Sequence, residues 1–128
     1  MSSRSSVAKG LGALALALLL LLPRPVLAQD RSPTARQSLV ELAYVLGEVH
    51  AMRQRCRGRT DYYWYTRMKQ LLDVEASDQA LAARLANTFN TGYAAAQARF
   101  PSCDKALKSE MAQLSQQGQT LSDQLAKP

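Results

Sequence analysis

The sequence predicts an all-α protein, a small antiparallel bundle of about four helices that is stapled by one disulfide bond. Three observations support this fold class. Apolar residues recur at steps of three and four along most of the chain after residue 35, which is the period of a helix with one buried face. No stretch alternates apolar with polar residues as a half-buried strand does. Two cysteines, Cys56 and Cys103, follow a leader that is typical of export, so they are expected to be bonded to each other.

Residues 1–28 have the layout of a signal peptide. Arg4 and Lys9 form a positive N-terminal region, residues 11–22 are apolar, and Val26-Leu27-Ala28 provides an A-x-A-like cleavage site. We expect cleavage after Ala28 and export to the periplasm. The alternative is an uncleaved membrane anchor, but the apolar run has about 12 residues and a helix that spans a bilayer needs about 20. No stable membrane span is therefore expected after cleavage.

The charge of the remaining chain is only mildly basic. The leader contains three of the sixteen basic residues and none of the ten acidic residues, which leaves a net charge of +3 after cleavage. This balance does not indicate nucleic-acid binding, which is typical of strongly basic domains with clustered lysine and arginine. We therefore expect no nucleic acid among the partners.

Residues 29–34 are predicted to form a flexible N-terminal arm, and residues 35–126 the helical domain. The first helix follows a cap at Ser32 or Thr34 and ends near Gly58, since glycine is frequent directly after a helix. Arginines in its last turns suit the negative end of the helix dipole. Its predicted apolar stripe comprises Leu39, Leu42, Ala43, Leu46, Val49, Met52 and Cys56.

The second helix is predicted to follow a cap at Thr60 or Asp61 and to end near Ala76. It is short and begins with a cluster of four aromatic residues, Tyr62-Tyr63-Trp64-Tyr65. Its predicted buried stripe comprises Trp64, Met68, Leu71, Leu72 and Glu75.

The third helix is predicted to start at a cap on Ser77 or Asp78 and to end near Phe100, because Pro101 disfavours helical geometry in the residue before it. Gly92 lies inside its apolar face, where glycine costs about 1 kcal/mol relative to alanine. The glycine therefore indicates a close approach to another helix. The predicted apolar face comprises Leu81, Leu85, Phe89, Gly92, Tyr93 and Ala96.

The fourth helix is predicted to begin at Ser102 or Asp104. Short connections favour antiparallel neighbours, so the first helix would end where the fourth begins and Cys56 would meet Cys103. The apolar seam of the fourth helix comprises Leu107, Met111, Leu114, Gly118, Leu121 and Leu125.

A succession of short motifs resembles a known family. The motifs are Arg55-Cys56, Trp64-x-x-Arg67-Met68-x-x-Leu71-Leu72-x-x-Glu75, Phe89-Asn90-x-Gly92-Tyr93 and Cys103. Together they resemble a family of small exported alphaproteobacterial proteins, typical of Rhizobiales, that is known as a domain of unknown function. The resemblance spans about Leu39 to Leu121, and Tyr65 stands where the family pattern has a basic residue. It implies an envelope protein and no particular reaction.

Metal, haem and catalytic sites are weakly indicated by the sequence. His50 is the only histidine, so a zinc site or a second haem histidine has no candidate. Haem bound through His50 and a methionine is an alternative, but methionines on apolar stripes are usually core residues. There is no Gly-x-Ser-x-Gly motif. We therefore expect no metal, no cofactor and no enzymatic activity, and His50 is expected at the surface or partly buried.

The strongest functional indication is a run of arginines followed by tyrosines around and after Cys56. Guanidinium groups bind phosphate or carboxylate groups in a bidentate manner, and aromatic rings stack on sugars or on arginines. The alternative is an ordinary solvated helix end. The predicted binding surface comprises Arg53, Arg55, Arg57, Arg59, Tyr62, Tyr63 and Tyr65.

Other conspicuous residues are interpreted as structural. Glu75 is expected to pair with Arg67 or Arg84, and a buried Asn90 would need a partner such as Arg67 or a carbonyl of the second helix. The residues assigned to this structural signature are Trp64, Arg67, Met68, Leu72, Glu75, Phe89, Asn90, Gly92 and Tyr93.

The sequence thus favours a non-enzymatic interaction protein of the cell envelope. Its partner would be an envelope protein or another anionic envelope component that contacts the arginine and tyrosine residues. The alternative is a module that binds a small ligand, a glycan or a lipid head group in a pocket between helices. An enzyme that acts on an envelope polymer is a more distant third hypothesis.

Overall fold

The computed structural model describes residues 31–127. Over this range the chain forms helices and connecting turns, with no strand, so the predicted all-α bundle of four helices is confirmed. The predicted signal peptide and residues 29–30 lie outside the described residues. The helices are α1 (Pro33–Arg57), α2 (Tyr63–Val74), α3 (Gln79–Arg99) and α4 (Lys105–Ala126).

Side-chain caps begin three of these helices. The Ser32 hydroxyl and the Asp78 and Asp104 carboxylates each accept a hydrogen bond from the amide three residues further on, at 3.1, 3.0 and 2.8 Å. Each of these three capping residues is one of the two candidates that the sequence gives for the start of its helix. Because α1 begins at Pro33, residues 33 and 34 are helical, although the sequence places them in the arm.

Helix α1 is the centre of the bundle. It packs against each of the other three helices, and every residue from Val45 to Met52 is buried. The sequence predicts a single apolar stripe on this helix. The structure differs because three helices surround α1, and a helix covered on all sides buries more than one face.

The directions of the helices follow from contacts at their ends. Arg36, near the start of α1, forms an ion pair with Asp78 before α3, and Arg55, near the end of α1, donates a hydrogen bond to the Phe100 carbonyl after α3. Helices α1 and α3 are therefore parallel, whereas α2 and α4 run antiparallel to α1. Helices that follow one another in the chain are thus antiparallel, as the sequence predicts, and the largest helix–helix interface joins the parallel pair α1 and α3.

Two glycines, Gly47 on α1 and Gly92 on α3, explain the close contact between these two helices. A Cβ atom on Gly47 would overlap the Phe89 carbonyl oxygen and lie 2.9 Å from the Tyr93 nitrogen. A Cβ atom on Gly92 would overlap the Tyr44 carbonyl oxygen and lie 3.1 Å from the carbonyl carbon. The predicted close approach at Gly92 is confirmed, and Gly47 is its counterpart on α1. The two backbones touch because neither position carries a side chain.

The disulfide bond between Cys56 and Cys103 is present, with the Cα atoms 5.0 Å apart. It joins the last turn of α1 to the segment before α4. Helix α4 packs mainly on α1. The disulfide bond therefore holds the start of α4 against the end of α1.

Glu75 has a different partner from the one that the sequence suggests. Its side chain is fully buried, and Oε1 accepts hydrogen bonds from the Arg31 Nε and Nη2 atoms at 3.1 and 2.7 Å. Neither Arg67 nor Arg84 forms this pair. Arg31 lies directly before the Ser32 cap, so the contact ties the start of α1 to the end of α2.

Within residues 31–127, no helix is both long enough and apolar enough to cross a membrane.

Candidate functional site

The seven residues predicted as a binding surface lie at the end of α1, in the connection to α2 and in the first turn of α2. We call this set the basic–aromatic turn. The structure does not bring all seven onto one surface. Arg53 and the three tyrosines lie beside α2, whereas Arg55 turns toward α3.

Arg53 stabilises the connection between α1 and α2. Its Nε atom lies 2.9 Å from both carboxylate oxygens of Asp61, and its guanidinium carbon lies 4.8 Å from the centre of the Tyr63 ring. Burial opposes ionisation of Asp61, but hydrogen bonds from the Tyr63 amide and from Arg53, together with the charge of Arg57, outweigh it and lower the pKa of this carboxyl. Arg53 therefore has a structural role.

Arg55 is held against the end of α3. Its Nε atom donates to the Phe100 carbonyl oxygen at 3.0 Å, and Nη2 donates to the Gln97 carbonyl oxygen at 3.4 Å. These carbonyl groups are at the negative end of the α3 dipole, which favours a cation. The contacts fix the direction of the guanidinium group.

Arg57 and Arg59 remain exposed. Neither forms an ion pair within the part of the chain that the structure describes. Gln54 Nε2 donates to the main-chain carbonyl of Arg59 at 3.1 Å, so the backbone of the turn is held while the guanidinium group stays in solvent.

The three tyrosines are exposed at the start of α2, with Tyr62 directly before the helix and Tyr63 and Tyr65 in its first turn. Tyr62, Tyr63 and Tyr65 are 56%, 46% and 44% exposed. The rings of Tyr62 and Tyr65 meet edge to face with centres 6.1 Å apart. The guanidinium groups of Arg53 and Arg67 lie 4.8 and 5.4 Å from the Tyr63 ring. We call Tyr62, Tyr63 and Tyr65 the aromatic face.

Most of the predicted structural signature packs as expected. Met68, Phe89 and Gly92 are buried, and Trp64 and Leu72 are partly buried against the core. Asn90 is exposed, so the suggested buried hydrogen bond to Arg67 is wrong. It lies on the solvent side of α3, next to the buried Phe89, because neighbouring residues on a helix point in different directions.

A polar cleft between α1 and α3 was not predicted. The Tyr93 hydroxyl donates to Gln54 Oε1 at 2.5 Å and accepts a hydrogen bond from Gln97 Nε2 at 3.1 Å. Tyr93 and Gln97 are four residues apart on α3, a spacing that indicates a shared face, but their partner on α1 has no sequence signal. The polar cleft has a volume of about 360 Å³ and is lined by Ala51, Gln54, Arg55, Arg59, Tyr93 and Gln97.

His50 is buried, at 5% exposure, rather than partly exposed as the sequence suggests. Its ring lies 5.2 Å from that of Tyr93, 5.6 Å from Phe89 and 6.0 Å from Tyr65. Its Nδ1 atom is buried without a hydrogen-bond partner in the described range. Burial lowers the pKa of His50, and the negative charge of Asp61 opposes the shift.

Metal binding has no three-dimensional candidate within residues 31–127, where no group of three or more histidine, cysteine, aspartate or glutamate side chains is placed to hold an ion. Both cysteines are in the disulfide bond.

A family model of proteins of unknown function, DUF2385, matches residues 35–128. The chain belongs to the DUF2385 family. The matched range includes both cysteines, the basic–aromatic turn and the polar cleft, so the DUF2385 domain corresponds to the helical bundle. A search of curated proteins found no match, and a search of solved structures found none.

Helix α1 of this DUF2385 protein has a second buried ionisable group near His50. Glu48 is 5% exposed, and its carboxylate lies 3.6 Å from Arg99, which also lies 3.5 Å from Glu110. Burial raises the pKa of Glu48, the charge of Arg99 opposes this shift, and the charge of Glu110 adds to it.

The His50 pKa predicts a loss of stability in mild acid. The unfolded DUF2385 chain binds a proton at His50 near the ordinary pKa of about 6.5, whereas the folded protein resists it until lower pH. The contribution of His50 to the free energy of unfolding should therefore fall as pH decreases from 7.5 to 5.5, by at most about 1.4 kcal/mol per pH unit. Urea unfolding at both pH values measures the change.

The His50→Gln variant separates the effect of His50 from that of Glu48. The raised pKa of Glu48 has the opposite effect, because it stabilises the folded protein as pH falls. The wild type should lose more stability than His50→Gln over this range. Equal changes in the two proteins would show that His50 does not resist protonation in the fold.

Proposed function

We propose that this protein is exported to the periplasm of an alphaproteobacterium after cleavage at Ala28, and that it is a non-enzymatic interaction protein of the cell envelope. Its aromatic face binds an acidic region of an envelope protein. One observation carries the proposal: Tyr62, Tyr63 and Tyr65 are 56%, 46% and 44% exposed in a domain that otherwise buries its aromatic residues at least in part.

Tyrosine and arginine are the residue types that suit this role. Both are enriched at protein interfaces and among the residues that contribute most to affinity. A tyrosine ring brings a large apolar area and a hydroxyl group with few rotatable bonds. Three such rings on one helical turn, beside exposed arginines, present more interface-type surface than a solvated helix end requires.

The aromatic face is pre-organised by contacts beneath it. The Asp61 carboxylate accepts hydrogen bonds from Arg53 and from the Tyr63 amide, the latter at 3.2 Å, and the disulfide bond fixes the end of α1. The partner would therefore not have to order this segment on binding, which lowers the entropic cost of association.

The charge around the aromatic face favours an acidic partner. Arg67 lies 5.4 Å from the Tyr63 ring, and the charge of Arg57 acts on Asp61 directly before the tyrosines. Both arginines are exposed, and neither is in an ion pair among the residues that the structure describes. Positive groups around an aromatic centre steer an acidic surface into place and reject basic partners.

Export is supported by the leader and by the disulfide bond. Residues 1–28 have the charged, apolar and small-residue order of a signal peptide. A disulfide bond between helices persists in an oxidising compartment such as the periplasm.

Site-specific photo-cross-linking tests the binding surface. A photoreactive amino acid at Thr66, which is exposed one turn after Tyr62 on α2, keeps all three tyrosines intact. The matched control replaces Val74, which is 60% exposed at the far end of α2. After irradiation in the native host, we expect one discrete adduct from position 66 and none from position 74. Adducts from both positions, or from neither, would contradict the proposal.

A further inference from the structure

We infer that the polar cleft is a binding site for a small organic molecule that carries a carboxylate or phosphate group. The cleft lies between the last turns of α1 and α3, and Tyr62, Tyr63 and Tyr65 do not line it. This inference does not rest on the proposed protein partner, because none of the three residues of the aromatic face lines the cleft.

Two arginines give the cleft its positive charge. Arg55 and Arg59 line it, and neither is in an ion pair within residues 31–127. By contrast, Arg31, Arg36, Arg53 and Arg99 each lie beside a carboxylate. The nearby acid Asp61 is already engaged by Arg53. The cleft therefore combines two cationic side chains with no carboxylate among its lining residues.

Two hydrogen bonds position the Arg55 side chain and leave three of its N–H donors without a partner among them. An arginine side chain has five N–H donors, of which the Phe100 and Gln97 carbonyls occupy one at Nε and one at Nη2. The remaining three donors include both of those on Nη1. Because two hydrogen bonds fix the guanidinium plane, an oxyanion would meet a donor group that is already oriented, which is the arrangement that favours bidentate binding.

The amide and hydroxyl groups of the cleft are oriented by one another. Gln54 Nε2 donates to the Arg59 and Asp61 carbonyls at 3.1 and 3.3 Å, so its Oε1 atom faces the Tyr93 hydroxyl. The Tyr93 oxygen in turn accepts from Gln97 Nε2. Gln97 keeps its second amide N–H, a further donor on the lining of the cleft.

The size and lining define the class of ligand. A volume of about 360 Å³ is at the lower end of the range for small-molecule sites. Five of the six lining residues have polar side chains, so binding would depend on hydrogen bonds and charge. A short organic acid or a phosphate monoester fits these conditions, and the guanidinium and amide donors are common to both.

NMR titration of the disulfide-bonded chain tests the site. The probes are inorganic phosphate, acetate and glycerol 3-phosphate, and the signals are the side-chain amide of Gln97 and the Nε–H groups of Arg55 and Arg59. We expect saturable shifts of these signals with at least one probe. The relative affinities for phosphate and acetate identify which oxyanion the cleft prefers.

Arg59→Gln and Arg57→Gln form a matched pair. Each removes one positive charge from an exposed side chain at the same end of the protein, but only Arg59 lines the cleft. Arg59→Gln should weaken binding about tenfold or more, since a hydrogen bond to a charged group contributes about 1.5–3 kcal/mol. Arg57→Gln should change it less than about twofold, because its charge is screened by solvent.

Two results would overturn the inference. Equal weakening by both substitutions would show that anions respond only to the general positive potential. The absence of saturable shifts with all three probes up to about 20 mM would show that there is no site of even millimolar affinity. Both results leave the cross-linking test of the aromatic face unaffected.

Discussion

Gly47→Ala and Gly92→Ala should each lower the free energy of unfolding by about 3 kcal/mol. The added Cβ atom would overlap a main-chain carbonyl oxygen of the facing helix in both cases, and a helix backbone cannot move aside as a flexible side chain can. The loss is expected although alanine favours the helical conformation by about 1 kcal/mol over glycine. Urea unfolding followed by far-UV circular dichroism measures it.

Gly118→Ala is the matched control on α4. A Cβ atom there would lie 3.4 Å from Val45 Cγ1 and 3.9 Å from Leu42 Cδ1, which are ordinary contacts. This substitution should leave stability unchanged or raise it by up to about 1 kcal/mol. If Gly47→Ala and Gly92→Ala changed the free energy of unfolding as little as Gly118→Ala, the close contact between α1 and α3 would not exist in solution.

Removal of the disulfide bond should lower the free energy of unfolding by about 4 kcal/mol, because the link closes a long loop and restricts the unfolded chain. The separation of 47 residues between Cys56 and Cys103 places the bond among those with a large expected contribution. This is a substantial part of the roughly 5–15 kcal/mol that stabilises a domain. Urea unfolding of Cys56→Ser with Cys103→Ser, compared with the oxidised wild type, gives the difference.

A reductant provides the control for the disulfide prediction. Reduction of the wild type should reproduce the loss, whereas the same reductant should not change the double variant. Hydrogen exchange should also become faster at the start of α4, which the bond holds against α1. A loss below about 1 kcal/mol would contradict the expected role of the bond.

Local signals in the sequence predicted the helices well. A cap at Ser77 or Asp78, the stop before Pro101 and the disulfide bond all follow from the sequence, because capping, proline geometry and oxidised cysteine pairs depend on residue type and spacing. The start of α2 differs, since its N-cap is Tyr62, without a side-chain hydrogen bond, and not Thr60 or Asp61. The close approach at Gly92 was also predicted, since glycine destabilises the interior of a helix and is retained there where another backbone comes close.

The arrangement of the helices was less predictable. The polar residues Glu48 and His50 interrupt the apolar pattern of α1. The sequence of α1 therefore indicates a single buried stripe, although three helices surround it. Gly47 is followed by the polar residues Glu48 and His50, so the sequence does not mark it as part of an apolar face. The pairing of Glu75 with Arg31 depends on where α1 starts relative to α2, which local periodicity does not define.

The candidate site was predicted as one surface and is divided into two. Arg53, Arg55 and Arg57 are spaced by two residues, and side chains at that spacing on a helix do not share a face. Arg53 therefore points to α2 and Arg55 to α3. The polar cleft depends on Tyr93 and Gln97 of α3, which are distant in sequence from the arginines, and only the packing of α1 on α3 brings these groups together.

The central claim is that the exposed side chains of Tyr62 and Arg57 take part in binding an acidic partner and are not required by the fold. Tyr62→Ser combined with Arg57→Gln changes two exposed side chains, for which the effect on the free energy of unfolding is expected to stay within about 0.5 kcal/mol for each substitution. The direct measurement is the yield of the adduct from the photoreactive residue at position 66 in this double variant, together with its urea unfolding curve. We predict a stable fold and loss of the adduct. An undiminished adduct from the folded variant would contradict the claim.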